Sequence, residues 1–393
     1  MKKNKQKRAS DIKVAVVSEP LFKHGGAEIH LKHILEAFPN CELFTAYYKE
    51  EFVKEFFPNV KINHSFMQHL PGRDKLRHLY LLFQPLAYKL FKFKEYDAVV
   101  SLSIAFSKFV KTKSIPHINI CMSPPKFLWQ KESRTLKDAD QLQGVNRFLY
   151  KIYDFFSKTF FENMLRKADK KAAQNCDRMA AISNVVKERV KKYYDIDADV
   201  IYPPVEVKRI QSQKKMNRKE NWFLYLGRVE TYKGVELAIK ACVKADVPLK
   251  IAGMGDDFEN MKNLVKKLNA KGLVRFLGYV TDEQKFNLLA RTKALIFPVK
   301  DEDFGIVPVE ANASGTPVIA YRQGGVKETI SENNPKSGIF FDNYSVNELA
   351  KILKNFKSEN YDPDNCRKQS DNFASEIFVY KLQNYVKDAI QNN

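Results

Sequence analysis

Short apolar runs alternate along the chain with longer segments whose apolar residues recur every three or four positions. Ile12–Ser18 (IKVAVVS) has the length of a buried strand. The pair Gly25-Gly26 follows, and then a helical pattern over Ala27–Phe38. Asp97–Leu102, His117–Cys121, Arg178–Ile182 and Asp199–Tyr202 are further strand-length runs in the first half.

The second half repeats the alternation more regularly. The pattern predicts strands at Trp222–Leu226, Leu249–Ala252, Val274–Leu277, Ala294–Phe297 and Pro317–Ala320. Helices are predicted between them at Val235–Lys244, Phe258–Ala270, Asp282–Ala290 and Val307–Ser314. Strands alternating with helices of this size imply a parallel sheet covered on both faces. Between the halves, Tyr202-Pro203-Pro204-Val205 is stiff and extended, because proline fixes its own φ and disfavours helix before it. The polar stretch Lys208–Glu220 comes next. The expected organisation is therefore α/β, with one Rossmann-like domain over 1–204 and a second over 205–375, facing a cleft. Phe373–Ile390 reads as an amphipathic helix.

Composition narrows the function. The chain has 393 residues, enough for two cores, and a formal net charge of +20. A basic surface suits nucleic acid, anionic lipid or an anionic substrate. No recognition helix, RNP-type or zinc signature supports nucleic acid. Cys41, Cys121, Cys176, Cys242 and Cys366 are scattered, with no CxxC pair, which points to a reducing compartment without a disulfide framework. His30 and His33 stand three apart with no cysteine nearby, and no metal site is expected there. The basic start MKKNKQKRAS meets Asp11 rather than a long apolar stretch, so no signal peptide is expected. No run of 18 apolar residues is present, so any membrane contact is expected to be peripheral, with the protein cytoplasmic.

Ligands of parallel sheets bind beyond the carboxyl ends of the strands, so the loops there hold the candidate chemistry. The densest runs from Glu302 to Glu310. Gly305 permits a tight turn, and Pro308 suits a first helical turn, where an N–H would be unpaired anyway. The helix start offers free N–H groups to an oxygen-rich ligand. Glu302 on the loop and Glu310 one turn into the helix supply two carboxylates for hydroxyls. The competing reading makes both acids ordinary complements to the helix dipole.

Asp303–Ile330 reads DFGIVPVEANASGTPVIAYRQGGVKETI, which resembles the signature of glycosyltransferase family 4, the retaining GT-B enzymes, in its O-antigen mannosyltransferase-like branch. Other pieces fall in the same order: Gly25-Gly26-Ala27-Glu28, Tyr96–Ser101, Ser123-Pro124-Pro125 with Trp129, Val200–Val205, Leu226-Gly227-Arg228-Val229 with Lys233-Gly234, and Phe276-Leu277-Gly278. The resemblance covers nearly the whole chain. It implies a hexosyl transfer from a nucleotide-diphosphate sugar, with GDP-mannose the first-choice donor and no further cofactor. Arg228 and Lys233 match the pair expected at the diphosphate, Glu302 the acid at the donor hexose, and Glu310 the acid at the ribose. Phe304, Gly305 and Ile306 would bring backbone amides to the donor. Gly26 would let backbone approach the reacting phosphate or acceptor. The resemblance also implies that the last helix, about 376–393, returns to the first domain. Front-face attack is the mechanism usually proposed for such enzymes, so Glu302 is not assigned as a nucleophile. Gly324 and Gly325 read equally as part of this cleft or as a structural turn.

Two positions depart from the branch. Met122 and Ile104 stand where histidines are expected, and methionine gives no strong hydrogen bond. This motivates a rival reading, a nucleotide-sugar-binding protein with lost or altered turnover. His24, beside the glycine loop, is a candidate to compensate. Other GT-B enzymes, an epimerase or a phosphorylase, are further rivals. The DxD strings at Asp138/Asp140, Asp197/Asp199 and Asp362/Asp364 read as turn acids rather than metal ligands, and no metal is expected. Two basic, aromatic-rich stretches suit an anionic membrane or a domain core. The first combines Arg73, Lys75, Arg77, Lys89, Lys92 and Lys94 with Leu81, Leu82, Phe83, Leu86, Leu90, Phe91 and Phe93; the second is Arg147–Lys171. The branch's lipid-linked glycan acceptors, used in polysaccharide or O-antigen assembly, would place such surfaces on the inner face of the plasma membrane.

Overall fold

The computed structural model describes residues 11–22, 25–71, 80–81, 83–130, 162–213 and 219–392. The chain divides into two compact units, Met1–Ile201 with Val379–Asn393, and Tyr202–Phe378.

The first unit is built on a seven-stranded sheet: β1 Val14–Ser18, β2 Glu42–Thr45, β3 Ile62–His64, β4 Ala98–Ser103, β5 His117–Cys121, β6 Arg178–Ala181 and β7 Asp199–Val200. All pair in parallel, in the order β3-β2-β1-β4-β5-β6-β7. The central strands β1, β4 and β5 are buried along their whole length, which is why they read as continuous apolar runs rather than alternating ones. The strands β2 (ELFT) and β3 (INH) lie at one edge, and are too short to announce themselves as apolar runs. The helix Gly26–Ala37 follows β1 and buries Leu31, Ile34 and Leu35. Phe44 on β2 meets Phe91, Phe93 and Tyr96 edge-on.

Several polar groups inside this unit are paired with one another. Ser101 Oγ lies 2.7 Å from His117 Nε2, and Asn119 Nδ2 donates to Ser101 Oγ and Ser103 Oγ at 2.8 and 2.9 Å, a ladder between β4 and β5. Asp169 accepts from Trp129 Nε1 at 2.8 Å and from the Tyr194 hydroxyl at 2.7 Å, and forms an ion pair with Lys108 at 2.7 Å. This network ties the loop after β5 to the helix Glu162–Gln174. The helix Ser375–Gln391 reaches into the first unit: Gln383 Nε2 donates to the carbonyl of Ala37 and the Tyr385 hydroxyl to that of Met179.

The second unit carries six parallel strands: β8 Phe223–Leu226, β9 Leu249–Ala252, β10 Val274–Gly278, β11 Leu295–Phe297, β12 Val318–Tyr321 and β13 Gly338–Phe341, in the order β10-β9-β8-β11-β12-β13. The chain winds outward from β8 to β10, returns to β11 beside β8, and winds outward again. The reversal between β8 and β11 is a topological switch point, where loops diverge and leave a crevice. The helices Val235–Ala245 and Val346–Asn355 pack on each other over the apolar core formed with Phe223, Ile251 and Ile296. The helix Ile306–Ala313 packs against Pro363–Asp371. Each unit is thus a parallel-sheet, Rossmann-like α/β domain.

Candidate functional site

Four loops at the carboxyl edge of the second sheet carry the candidate residues. The loop after β8 runs from Gly227 to Gly234. Its shape is set by backbone bonds to the neighbouring loop: Gly227 N to Ala252 O at 3.1 Å, Val229 N to Met254 O at 3.0 Å and Asp257 N to Val229 O at 3.1 Å. Gly255 permits this approach, since a Cβ there would lie 2.8 Å from the nitrogen of Val229. The Tyr225 hydroxyl donates to the carbonyl of Arg228 at 2.9 Å, fixing the loop from inside.

At the far end of the loop, Gly234 has φ +74 and presses on Pro298, just after β11; a Cβ would also lie 2.6 Å from the Tyr344 hydroxyl. That hydroxyl donates to Pro298 O at 3.0 Å. The close approach brings the side chain of Lys233 to the loop after β11, where Nζ meets Glu302 Oε2 at 3.0 Å. Both groups remain about a fifth exposed, so the pair is open to a ligand. Arg228 is more exposed. Its Nη1 donates to Glu230 Oε1 at 2.7 Å and its Nη2 to the Tyr232 hydroxyl at 2.6 Å. The Tyr232 ring lies between the two cations, 5.9 Å from Arg228 and 5.2 Å from Lys233. Burial and a hydrogen bond to Glu230 push its phenol above the ordinary range.

Glu302 is clamped by the Gly324-Gly325 pair after β12. Gly325 N donates to Glu302 O at 2.7 Å, and Glu302 and Gly324 form a parallel bridge. A Cβ on Gly325 would stand 2.5 Å from Cα of Phe304, and one on Gly324 would stand 2.8 Å from the nitrogen of Glu302. The glycines are therefore a contact surface for the acidic loop. Gly305, at φ +99, then opens the helix Ile306–Ala313. It provides no side-chain cap, the first-turn amides of Ile306 and Val307 have no partner within the helix, and Pro308 has no N–H to satisfy. The Phe304 ring is buried between Tyr202 and Phe373, at 5.7 and 5.4 Å, and anchors the turn.

Glu310 sits one turn further in and is buried. Its Oε1 accepts from Lys285 Nζ at 2.7 Å, and the same ammonium meets Asp282 Oδ1 at 3.0 Å. Burial pushes the Glu310 carboxyl up, while Lys285 pulls it back; burial lowers Lys285, but the two carboxylates more than reverse that.

The structure therefore joins Lys233 to Glu302, with Arg228 in the same loop, and seats Glu310 in a separate pair. Gly26 belongs to the first unit, as the first residue of its helix Gly26–Ala37. Glu230, Tyr232, Lys285 and the Gly253–Gly255 turn were missed from sequence. Glu230 and Tyr232 meet Arg228 inside their own loop, whereas Lys285 and the turn find their partners on neighbouring segments, and only the two glycines framing Met254 after a strand could have flagged the turn. His24, Asp138 and Asp140 lie outside the described residues. Asp197 pairs with Lys187, Asp362 caps the helix Pro363–Asp371 through Asp364 N, and Asp364 pairs with Arg367. Among the described residues no cluster of three His, Cys, Asp or Glu is disposed to hold a metal.

This edge lies within a recognisable domain. Residues 206–373 match the family described as Glycosyl transferases group 1. The chain is 28% identical over 236 residues to the O-antigen chain mannosyltransferase RfbU of Salmonella typhimurium, covering 56% of this chain and 65% of that protein. It spans about half the length of several other curated relatives. In fold it matches a sucrose-phosphate synthase from Thermosynechococcus elongatus, with a TM-score of 0.71 at 18% identity over 97% of this chain and 100% of that one. HepE of Anabaena, solved in complex with UDP, matches with a TM-score of 0.68 at 15% identity, over 95% and 99%. Solved structures of this kind are GT-B glycosyltransferases, and the two Rossmann-like units here share that fold class.

Proposed function

We propose that the chain is a retaining glycosyltransferase of family 4 that moves a hexose from a nucleotide-diphosphate sugar to an acceptor hydroxyl, with GDP-mannose as first-choice donor. The observation that carries this reading is the Lys233–Glu302 pair at the sheet edge, in the loop next to Arg228. In the reaction the bond between the anomeric carbon and the diphosphate oxygen breaks, and the acceptor oxygen bonds to that carbon from the same face. The acceptor proton passes to the departing phosphate. Negative charge grows on the diphosphate, and the fixed cations Arg228 and Lys233 stabilise it. Glu302 holds hexose hydroxyls, Glu310 the ribose, and the amides around Phe304, Gly305 and Ile306 complete the donor site.

The acceptor fits a lipid-linked glycan met at a membrane surface on the cytoplasmic side. Phe83, Leu86 and Leu90 are exposed beside Lys89, Lys92 and Lys94, an apolar and cationic surface suited to anionic lipid. Arg73, Lys75, Arg77 and most of Arg147–Lys171 lie outside the described residues, and no described helix is long and apolar enough to cross a membrane.

Calorimetric titration with GDP, UDP and ADP tests the donor site. Binding of one nucleotide, lost in Glu310→Ala and Arg228→Ala, is expected; no binding of any would refute it. Co-sedimentation with anionic but not neutral vesicles at low salt tests the surface.

A further inference from the structure

Lys285 stands out because stability alone gives no reason for it. Lysine and glutamate are rarely buried unless paired, and a buried pair usually contributes little more than well-packed apolar residues would. Yet the Lys285 and Glu310 side chains are only 16% and 9% exposed, and their bond is 2.7 Å. The local sequence builds this arrangement deliberately. A capping box, with Thr281 and Gln284 each bonding the other's backbone amide, starts the helix Asp282–Arg291. One turn of helix then places Lys285 over Asp282, whose Oδ1 takes the ammonium at 3.0 Å. The ammonium is thus held by two carboxylates and is not free to swing to solvent. Of the two Glu310 side-chain oxygens, Oε1 is the one Lys285 occupies.

We propose that Lys285 is the positioning residue for the ribose end of the donor: by holding Glu310 Oε1 it fixes the carboxylate and reserves Oε2 as acceptor for a ribose hydroxyl. This rests on the donor-site reading above and deepens it. A buried carboxylate without its cation either protonates, and so becomes a poorer acceptor, or rotates to find another partner. In either case discrimination in favour of the ribose hydroxyls is lost, while contacts to base and diphosphate persist.

The test compares UDP and GDP with their 2′,3′-dideoxy forms by calorimetry on the full chain. For the nucleotide that binds, wild type is expected to prefer the ribo form by roughly 10- to 100-fold, the range of a hydrogen bond to a charged group. Lys285→Met should bring the two forms within about threefold of each other, chiefly by weakening the ribo form, and Lys285→Arg should restore the preference. Thermal melting checks each variant, and Lys285→Leu, which likewise removes the donor, carries the test if the methionine variant does not fold. Retention of the full ribo preference in Lys285→Met or Lys285→Leu overturns the proposal while leaving the donor site intact. A wild-type protein that binds nucleotide without distinguishing the two forms overturns both the ribose role of Glu310 and the proposal. Absence of nucleotide binding overturns the donor-site reading itself.

Discussion

Replacing Gly324 by alanine tests whether the glycine pair after β12 positions the acidic loop. Gly324 has φ +82, a left-handed conformation that costs an ordinary residue about 1–2 kcal/mol. The new Cβ would also stand 2.8 Å from the Glu302 nitrogen and closer still to its carbonyl oxygen, whereas real Cβ contacts essentially never fall under 3.0 Å. Both obstructing atoms are backbone, so the Glu302 segment must move. Strain and displacement together predict a loss of about 2–3 kcal/mol, which for a unit of this size lowers Tm by about 5–10 °C. A shift of about 1 Å in a positioned group costs about 100-fold in rate. Glu302 would also part from Lys233. The assay combines melting with turnover of whichever nucleotide hexose the wild type uses, and with calorimetric titration of the bare diphosphate. Turnover is expected to fall about 100-fold, and bare-diphosphate affinity by less than about tenfold, because Arg228 sits on a separate loop. Gly272→Ala is the control, since a Cβ there meets nothing within 4 Å. It should be neutral or slightly stabilising. A Gly324→Ala protein that keeps wild-type turnover would refute the clamp.

Other perturbations follow from the same structure. Asp169→Ala leaves the Lys108 ammonium buried without its carboxylate, and urea unfolding should show a loss of about 3–5 kcal/mol; a loss below about 1 kcal/mol would mean that Lys108 is hydrated. Burial lowers His117 to about 4 and His30 to about 3, both from 6.5. Each is neutral in the fold and takes up a proton on unfolding below pH 6.5, so stability is full above that pH and falls towards pH 4. At pH 5 each histidine accounts for about 2 kcal/mol of loss, and a urea midpoint constant from pH 7.5 to 5 would contradict this. Glu230→Gln removes the carboxylate that competes for Arg228. Affinity for the bound nucleoside diphosphate should rise severalfold at low salt; a fall would assign Glu230 to orienting the guanidinium instead.

The alternation of apolar runs and helical patterns made the fold class legible, because buried parallel strands are continuous in sequence. The strands missed from sequence lie at or next to sheet edges: β2, β3 and β13 (GIFF), three or four residues each, whose pairing is set by neighbours rather than by their own pattern. The acidic loop was legible for a related reason. Glu302, Gly305, Pro308 and Glu310 lie within nine residues on a loop and the helix it opens, so the local pattern marked the segment, although the fold seats the two acids in separate ion pairs. Lys285 and Tyr232 are different. The lysine, on an amphipathic helix, is ordinary until packing of that helix places it against Glu310, and the tyrosine is ordinary until the fold of its own loop turns it to Arg228.

The pairing of the cations bears on how a donor would bind. Arg228 and Lys233, the two groups expected at the diphosphate, are each already held by a carboxylate, Glu230 in one case and Glu302 in the other. Such partly exposed pairs contribute about 0–1 kcal/mol, so a diphosphate with two or more charges displaces them at little cost. The consequences differ for the two carboxylates. Glu230, 18% exposed, keeps its hydrogen bond with the Tyr232 phenol when the guanidinium turns to phosphate. Glu302 is fixed by the Gly324-Gly325 contact and cannot follow Lys233 as it turns to phosphate, so one of its oxygens is left to be filled. A hexose hydroxyl is the donor group that comes with the diphosphate and can fill it. On the proposed donor-site reading, capture of the charged half of the ligand would create the vacancy that the sugar half satisfies. The contact supplied by Gly324-Gly325 would then turn two contacts into one coupled recognition event.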